Sequence, residues 1–148
     1  MYPIMLNVRN LSIAIIGGGK IAYRKYKQLI KCGAKKILIV SPQLSDLFDN
    51  DVKLFTWAKN EYDKNYLKNK DIVFACTNSA ELNKRISSDA KTLRILVNDT
   101  SYKANSNFYN MATIQDDKKL IGVSTFGKNP VLAKDIKNKI KKFLDENV

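Results

Sequence analysis

Histidine is absent from the 148-residue sequence, which removes the side chain that most often shuttles protons near neutral pH and most often ligates transition metals. Acid–base chemistry therefore has to use Asp, Glu, Tyr, Lys or a cofactor. The two cysteines, Cys32 and Cys76, are too few for a disulfide framework and lack the spacing of metal ligands. We interpret them as structural thiols, one at a helix end and one in a core strand, and predict no metal site.

Long hydrophobic runs are also missing. No apolar stretch approaches the roughly 20 residues that a membrane-spanning helix requires. Residues 1–6 lack the basic start and the cleavage site of a signal peptide. We therefore expect a cytoplasmic protein with no membrane contact.

Acidic residues are outnumbered, since 26 Lys and Arg stand against 14 Asp and Glu and leave a net charge of +12. Such a charge attracts strongly negative partners. The lysines are scattered over residues 25–36, 59–70 and 134–142, and the sequence contains no recognised nucleic-acid-binding module. We expect no nucleic-acid partner. Two interpretations stay open: a solvated lysine-rich surface, or attraction of a polyanionic small molecule.

Short apolar runs alternate with helical patterns through the first 106 residues. The patterns predict strands at residues 11–16, 36–40, 52–56, 72–76 and 94–97, and helices at 20–32, 63–68 and 79–89. Strict alternation of strand and helix indicates right-handed crossovers and a parallel sheet covered by helices on both faces. We therefore predict an α/β fold in which residues 1–106 form a compact Rossmann-like domain.

Residues 12–22 are the most informative segment, because an apolar strand leads there into three glycines and then into a helix. Gly17 suits the tight turn after the strand, Gly19 lets the backbone approach a diphosphate, and Ala22 is the small residue where helix packs on strand. The N–H groups of the helix's first turn would face the anion. The alternative is a plain strand-to-helix turn. The predicted cofactor-binding residues are Gly17, Gly18, Gly19, Lys20, Ile21 and Ala22.

The pattern changes after residue 106. Residues 108–114 and 119–125 are consecutive strand-like runs separated by a polar turn, and a helix with an apolar stripe begins at Pro130. Such an arm, residues 107–148, has little core of its own. It must pack on the first domain or on a second subunit, and the latter implies a symmetric dimer.

Polar side chains follow two predicted strands at their carboxyl ends, where open α/β sheets hold ligands. Asn98 and Asp99 follow one strand, and Thr77 and Asn78 follow another. These residues could hydrogen-bond the ribose or nicotinamide of a dinucleotide and supply a carboxylate beside it. They could equally cap a helix or brace a loop.

The glycine turn with its helix and three further motifs together resemble the precorrin-2 dehydrogenase family of sirohaem synthesis, over nearly all of the chain. The most specific motif is a Ser-Thr-x-Gly-x-Asn-Pro turn that opens the last helix. The residues that carry the resemblance are Gly17 to Ala22 with Arg24 and Lys25, Cys76 to Asn78 with Leu82 and Asn83, Val97 with Asn98, and Ser124 to Ala133.

The resemblance implies an NAD-dependent enzyme that oxidises precorrin-2 to sirohydrochlorin. Its substrate would be a tetrapyrrole carrying eight carboxylates, for which the net charge of +12 is suited. It also implies a homodimer that interlocks through about residues 107–143, in a short form without the helical C-terminal domain that many relatives carry.

By the same resemblance, Ser124 lies near the substrate, and a carboxylate after the Val97-Asn98 strand is the acid–base group. Asp99 is the candidate, although an ungapped alignment places Ser101 where several relatives have that aspartate. The adenine ribose would meet Ser41, Pro42 and Gln43 through a hydroxyl, backbone groups and an amide. The acidic residue that often grips the ribose is missing there, so NAD rather than NADP is implied by the family alone.

Three other functions remain open. The protein could be a bifunctional dehydrogenase and sirohydrochlorin ferrochelatase, since carboxylates can bind iron and remove pyrrole protons. It could be a non-catalytic dimer that senses a dinucleotide or binds a tetrapyrrole. A basic nucleic-acid binder is the last alternative.

Overall fold

The computed structural model describes residues 1–51 and 54–147 of the chain. The chain forms two units, one comprising Ile4–Phe108 and the other Met1–Pro3 together with Tyr109–Val148. No helix among the described residues is long and apolar enough to cross a lipid bilayer. The cytoplasmic location stays a prediction.

The larger unit is built on a parallel β-sheet. Its described strands are β1 (Ser12–Ile16), β2 (Lys36–Val40), β3 (Thr56–Ala58), β4 (Ile72–Ala75) and β5 (Leu96–Asp99). Their order across the sheet is β3-β2-β1-β4-β5, and every neighbouring pair is parallel. Helix α1 (Lys20–Lys31) follows β1, and helix α2 (Ala80–Thr92) follows β4. The predicted α/β fold with a parallel sheet is confirmed.

Helices cover both faces of this sheet, because successive side chains of a strand point to opposite faces. Ile13 of β1 belongs to a buried cluster that includes Tyr26 of α1. Its neighbour Ala14 belongs to a second buried cluster that includes Ile86 of α2. The unit therefore has two apolar layers with the sheet between them, and the carboxyl edge of the sheet is left for polar groups.

Element boundaries differ from the predictions where local turns decide them. Helix α2 is opened as predicted by Ser79, whose Oγ accepts a hydrogen bond from Leu82 N at 3.2 Å. The helix runs three residues past its predicted end, and Arg94, with φ +58°, then turns the chain. Strand β5 consequently begins two residues later than predicted, at Leu96.

Two weaker predictions have a different outcome. Of the strand expected at 52–56, residues 52 and 53 lie outside the described residues, and the observed strand β3 covers Thr56–Ala58. The polar helix expected at 63–68 is a single 3₁₀ turn, Lys64–Leu67, with the Asp63 side chain accepting a hydrogen bond from Asn65 N at 2.7 Å.

The smaller unit contains the predicted hairpin and helix. Strands β6 (Ala112–Gln115) and β7 (Leu120–Val123) are antiparallel, and each is shorter than expected. The Asp116 carboxylate accepts from the backbone N–H groups of Lys118 and Lys119, which fixes the turn between them. Helix α3 (Pro130–Asn147) begins at the predicted proline. Several apolar residues on α3 are exposed: Val131, Leu132 and Phe143.

Candidate functional site at the carboxyl edge of the sheet

The connections of the sheet reverse between β1 and β4. From β1 the chain crosses to β2 and then β3 on one side, and β4 and β5 lie on the other side. In open α/β sheets the crevice at such a reversal, outside the carboxyl ends of the strands, is the usual ligand site. The structure brings all the predicted cofactor-binding residues to this edge or to the first turn of α1, which starts there.

The glycine turn after β1 is closely packed on two sides. Gly17 has φ +122°, and a Cβ there would overlap the carbonyl oxygen of Cys76 and come within 3.1 Å of Thr77 N. A Cβ on Gly18 would overlap the carbonyl oxygen of Gln43 and lie 2.7 Å from Ser41 Oγ. The absence of side chains at these two positions lets the ends of β2 and β4 approach β1.

Gly19 serves a different purpose. A Cβ built on Gly19 meets no atom within 4 Å, so this position faces open space. Gly19 is also the N-cap of α1, where no side chain caps the helix and no acidic residue occupies the first turn. The N–H groups of that turn and the positive end of the helix dipole are available to an anion. These residues fit the diphosphate of a dinucleotide.

The first turn of α1 divides by burial. Lys20 and Ile21 are exposed beside the opening. Ala22 is completely buried and belongs to the apolar layer between α1 and the sheet, where its small side chain permits close packing. The helix is thereby held against the sheet with its N-terminus at the crevice.

The turn after β2 is braced internally. Ser41 is buried, and its hydroxyl donates to the carbonyl oxygen of Gln43 at 2.6 Å. Trp57 Nε1 donates to the Ser41 carbonyl at 3.0 Å. Pro42 and Gln43 are exposed. The Ser41 hydroxyl proton is therefore used within the turn, and the exposed groups at this point belong to Pro42 and Gln43.

The turn after β4 is held by Asn83, a residue to which the sequence assigned no role. Asn83 is completely buried on α2. Its Oδ1 accepts from Thr77 N at 3.0 Å and from Thr77 Oγ1 at 2.7 Å, while its Nδ2 donates to Thr77 O at 3.1 Å. Asn78 is exposed next to this clamp. The only sequence signal for Asn83 was its place in the Leu82-Asn83 motif.

Asn98 and Asp99 end β5, and both are buried. Asn98 Nδ2 donates to the Phe108 carbonyl at 3.1 Å. The Asp99 carboxylate accepts four hydrogen bonds, from Ser101 N at 2.7 Å, Ser101 Oγ at 2.6 Å, Tyr102 N at 3.1 Å and Asn105 Nδ2 at 2.7 Å. The carboxylate thus organises the loop that follows the strand.

Hydrogen bonding sets the charge state of Asp99. Burial alone would raise the pKa of this carboxyl group, but the donors on Ser101, Asn105 and Tyr102 outweigh burial, and the pKa lies below its ordinary value. Asp99 is consequently ionised at neutral pH. It holds the only carboxylate among the predicted site residues.

A buried cation and a buried thiol lie beneath the same edge. Lys25 Nζ is 5.4 Å from the centroid of the Phe74 ring, and burial lowers the pKa of Lys25 while Cys76 opposes that change. Burial raises the pKa of the Cys76 thiol to about 11, against the influence of Lys25 and a hydrogen bond with Thr100. Cys76 therefore stays protonated near neutral pH, as expected of a structural thiol.

Ser124 lies in the smaller unit, between β7 and α3. It is exposed, and its Oγ accepts from Phe126 N at 3.0 Å. The turn continues through two residues with positive φ, Phe126 and Gly127, and ends where Asn129 Oδ1 accepts from Leu132 N at 2.9 Å. The two predicted catalytic residues, Asp99 and Ser124, therefore belong to different units.

Comparisons with known proteins agree with this geometry. Residues 4–112 match the family described as "Putative NAD(P)-binding". The chain is 36% identical over 138 residues to a sirohaem synthase of Psychrobacter sp. (strain PRwf-1), covering 90% of this chain and 28% of that protein. It is 33% identical over 148 residues to a sirohaem synthase of Acinetobacter baylyi, covering 95% of this chain and 31% of that protein.

A solved structure is also similar. The structure of SirC, a precorrin-2 dehydrogenase, superposes on this chain with a TM-score of 0.79 and 26% sequence identity. The match covers 96% of this chain and 70% of the SirC chain. The chain spans only about 28–31% of the length of the two sirohaem synthases. These matches confirm the resemblance drawn from the sequence and the predicted cofactor class, a nicotinamide adenine dinucleotide such as NAD.

Proposed function

We propose, from the premise that the chain belongs to the NAD(P)-binding family matched by its residues 4–112, that it is a dehydrogenase that oxidises precorrin-2 to sirohydrochlorin with NAD in sirohaem biosynthesis. One observation carries this proposal: the open cradle at Gly19, formed by a glycine turn whose other two glycines are closely packed. The similarity of the chain to a precorrin-2 dehydrogenase, at a TM-score of 0.79, supports the choice of substrate.

The residues around the crevice have separable binding roles. N–H groups of the first turn of α1 would hold the diphosphate above Gly19. Thr77, Asn78 and Asn98 at the ends of β4 and β5 would bind the nicotinamide ribose and ring, and Ser41, Pro42 and Gln43 would line the adenine ribose pocket. The bound nicotinamide supplies the chemistry by accepting a hydride. The protein's part is to align the two rings and to exclude water.

The substrate class agrees with the charge of the chain. A tetrapyrrole with eight carboxylates requires a basic environment, and the sequence carries 26 Lys and Arg against 14 Asp and Glu. Within this proposal Ser124 contacts the substrate. Asp99 provides the carboxylate for proton removal, since its lowered pKa keeps it ionised at neutral pH.

A homodimer is part of the proposal. Helix α3 carries exposed apolar side chains: Val131 is 78% accessible and Phe143 is 63% accessible. Packing against a second copy of the chain would remove these side chains from water. We also propose a cytoplasmic location.

The decisive experiment uses the purified full chain. Incubation with precorrin-2 and NAD⁺ should produce NADH absorbance together with the sirohydrochlorin spectrum, and calorimetry should show NAD⁺ binding tighter than NADP⁺ binding. Dinucleotide binding without turnover would contradict the dehydrogenase function and favour a non-catalytic protein that senses a dinucleotide. Addition of Fe²⁺ after turnover tests for ferrochelatase activity, which would appear as the sirohaem spectrum.

A further inference from the structure

We propose that Ser101 and Asp99 form a proton relay at the carboxyl edge of the sheet, in which Ser101 Oγ takes the proton that the substrate loses and passes its own proton to Asp99. This inference rests on the proposed dehydrogenase function and names the groups that perform its acid–base step. It assigns a catalytic residue, Ser101, and makes Asp99 the residue that acts through it.

The direction of the relay follows from Asn83. Its Oδ1 faces the Thr77 backbone N–H and its Nδ2 faces the Thr77 carbonyl, so the two ends of the amide cannot be exchanged without losing both bonds. Nδ2 must then be the donor in its 3.2 Å contact with Ser101 Oγ. Because Ser101 Oγ accepts from Asn83, its own hydrogen is directed to another partner.

That partner is Asp99. Ser101 Oγ donates to Asp99 Oδ1 at 2.6 Å, a length typical of a charge-assisted bond between hydroxyl and carboxylate. The carboxylate is held in place, since backbone N–H groups of Ser101 and Tyr102 donate to the same oxygen and Asn105 Nδ2 donates to the other. The geometry for proton transfer therefore exists before any substrate binds.

Accessibility separates the two members. Asp99 is 4% exposed, so a macrocycle cannot reach its carboxylate directly. Ser101 is exposed, and its oxygen retains one lone pair after accepting from Asn83 and donating to Asp99. Ser101 is also tied to the cofactor cradle, because Asn83 bonds to Thr77, whose N lies beside Gly17. A proton leaving the substrate at this edge meets Ser101 first.

Oxidation removes one hydride, with two electrons, from the macrocycle to NAD⁺, and one proton from the resulting cation. The substrate's bond to that proton breaks as a bond to Ser101 Oγ forms, while the Ser101 O–H bond breaks and Asp99 Oδ1 becomes protonated. Ser101 ends as a neutral hydroxyl, and Asp99 later releases its proton to water. The lowered pKa of Asp99 favours that release.

The test compares four variants of the full chain. Ser101→Ala removes the hydroxyl of the relay, and Ser101→Thr keeps a hydroxyl there. Asp99→Asn removes the charge but keeps a carbonyl acceptor. The control, Ser88→Ala, removes an exposed serine hydroxyl on α2, outside the relay. We expect Ser101→Ala and Asp99→Asn each to lower kcat about 10²-fold or more, the range of general acid–base catalysis. Ser101→Thr should stay within about tenfold of the unchanged protein, and Ser88→Ala should equal it.

Further readouts distinguish a relay from a structural role. The double variant Ser101→Ala/Asp99→Asn should be no slower than either single variant, because both remove the same step. The Kd for NAD⁺ and the KM for precorrin-2 should change little. Without substrate, carbon-13 NMR should show that the pKa of Asp99 rises in Ser101→Ala, since one donor to its charged form is lost.

Two outcomes would overturn the inference, and they differ from failure of the proposed function. Normal turnover by Ser101→Ala shows that its hydroxyl does not carry the proton. Additive losses in the double variant show that the two residues act independently. If the unchanged protein oxidises no precorrin-2, the proposed function fails, and the relay fails with it.

Discussion

The three glycines of the turn make different contacts, and this difference predicts different consequences for the same substitution. A Cβ on Gly18 would overlap the Gln43 carbonyl and approach Ser41 Oγ to 2.7 Å, whereas a Cβ on Gly19 meets nothing within 4 Å. Gly18→Ala should therefore damage the fold, and Gly19→Ala should mainly weaken dinucleotide binding.

The magnitudes follow from the two environments. Forcing a methyl group between closely packed backbone atoms costs about 1–3 kcal/mol, and at roughly 3 °C per kcal/mol for a chain of this size Gly18→Ala should lower Tm by about 3–9 °C. Replacing the N-cap glycine of α1 by alanine costs at most about 1 kcal/mol, so Gly19→Ala should lower Tm by no more than about 3 °C. Its methyl group occupies the diphosphate cradle, and we expect the Kd for NAD⁺ to rise at least tenfold, or about 1.4 kcal/mol.

The assays are thermal melting and calorimetric titration with NAD⁺. Gly33→Ala is the matched control, because Gly33 has φ +83° and a Cβ there would lie 3.3 Å from Arg9 Cγ, away from the glycine turn. It should lower Tm and leave the NAD⁺ affinity of the folded protein unchanged. An unchanged Kd in Gly19→Ala would refute a diphosphate site at this position, and an unchanged Tm in Gly18→Ala would refute the packing argument.

Three further predictions concern other parts of the chain. Asn83→Ala removes a buried amide that bonds Thr77 and Ser101, so Tm should fall by about 3–9 °C and NAD⁺ should bind more weakly; equal Tm and affinity would deny its clamping role. Asp99 has a folded-state pKa below its unfolded value, so its contribution to stability is complete above about pH 4 and is lost as the pH falls through the folded pKa. The Tm of Asp99→Asn should therefore change less with pH below about pH 4 than the Tm of the unchanged protein. Phe143→Asp places a charge on the exposed apolar part of α3, and light scattering should show a shift from dimer to monomer, whereas dimer retention would exclude that surface.

Local chemistry made much of the fold predictable. The glycine turn, Ser79 and Pro130 each act on residues close to them in the chain. Ser79 caps α2 and Pro130 begins α3, as the sequence predicted. The exact limits of β5 were not predictable, because they depend on a positive φ at Arg94, an ordinary residue with no turn signature. The parallel sheet followed from the alternation of strands and helices, whereas the order of its strands was not predicted.

The polar network was harder to anticipate, since it joins residues distant in the chain. Asn83 and Ser101 are 18 residues apart and meet only after α2 packs beside β5. The place of Asn83 in the Leu82-Asn83 motif was its only signal in the sequence, and that motif indicated neither its burial nor its partners. The sequence placed Asp99 at the right edge of the sheet but could not show that four donors would enclose its carboxylate.

The low pKa of Asp99 bears on how a chain without histidine can carry out this reaction. A general base is most effective when its pKa lies near the working pH, and an aspartate held below its ordinary pKa is a weak base by that measure. The demand is small here, however, because loss of a hydride leaves a positive charge on the ring system of the macrocycle, and a cationic ring gives up a proton readily. A weak base that is always ionised then suffices, and hydrogen bonds from Ser101 and Asn105 help to keep it ionised.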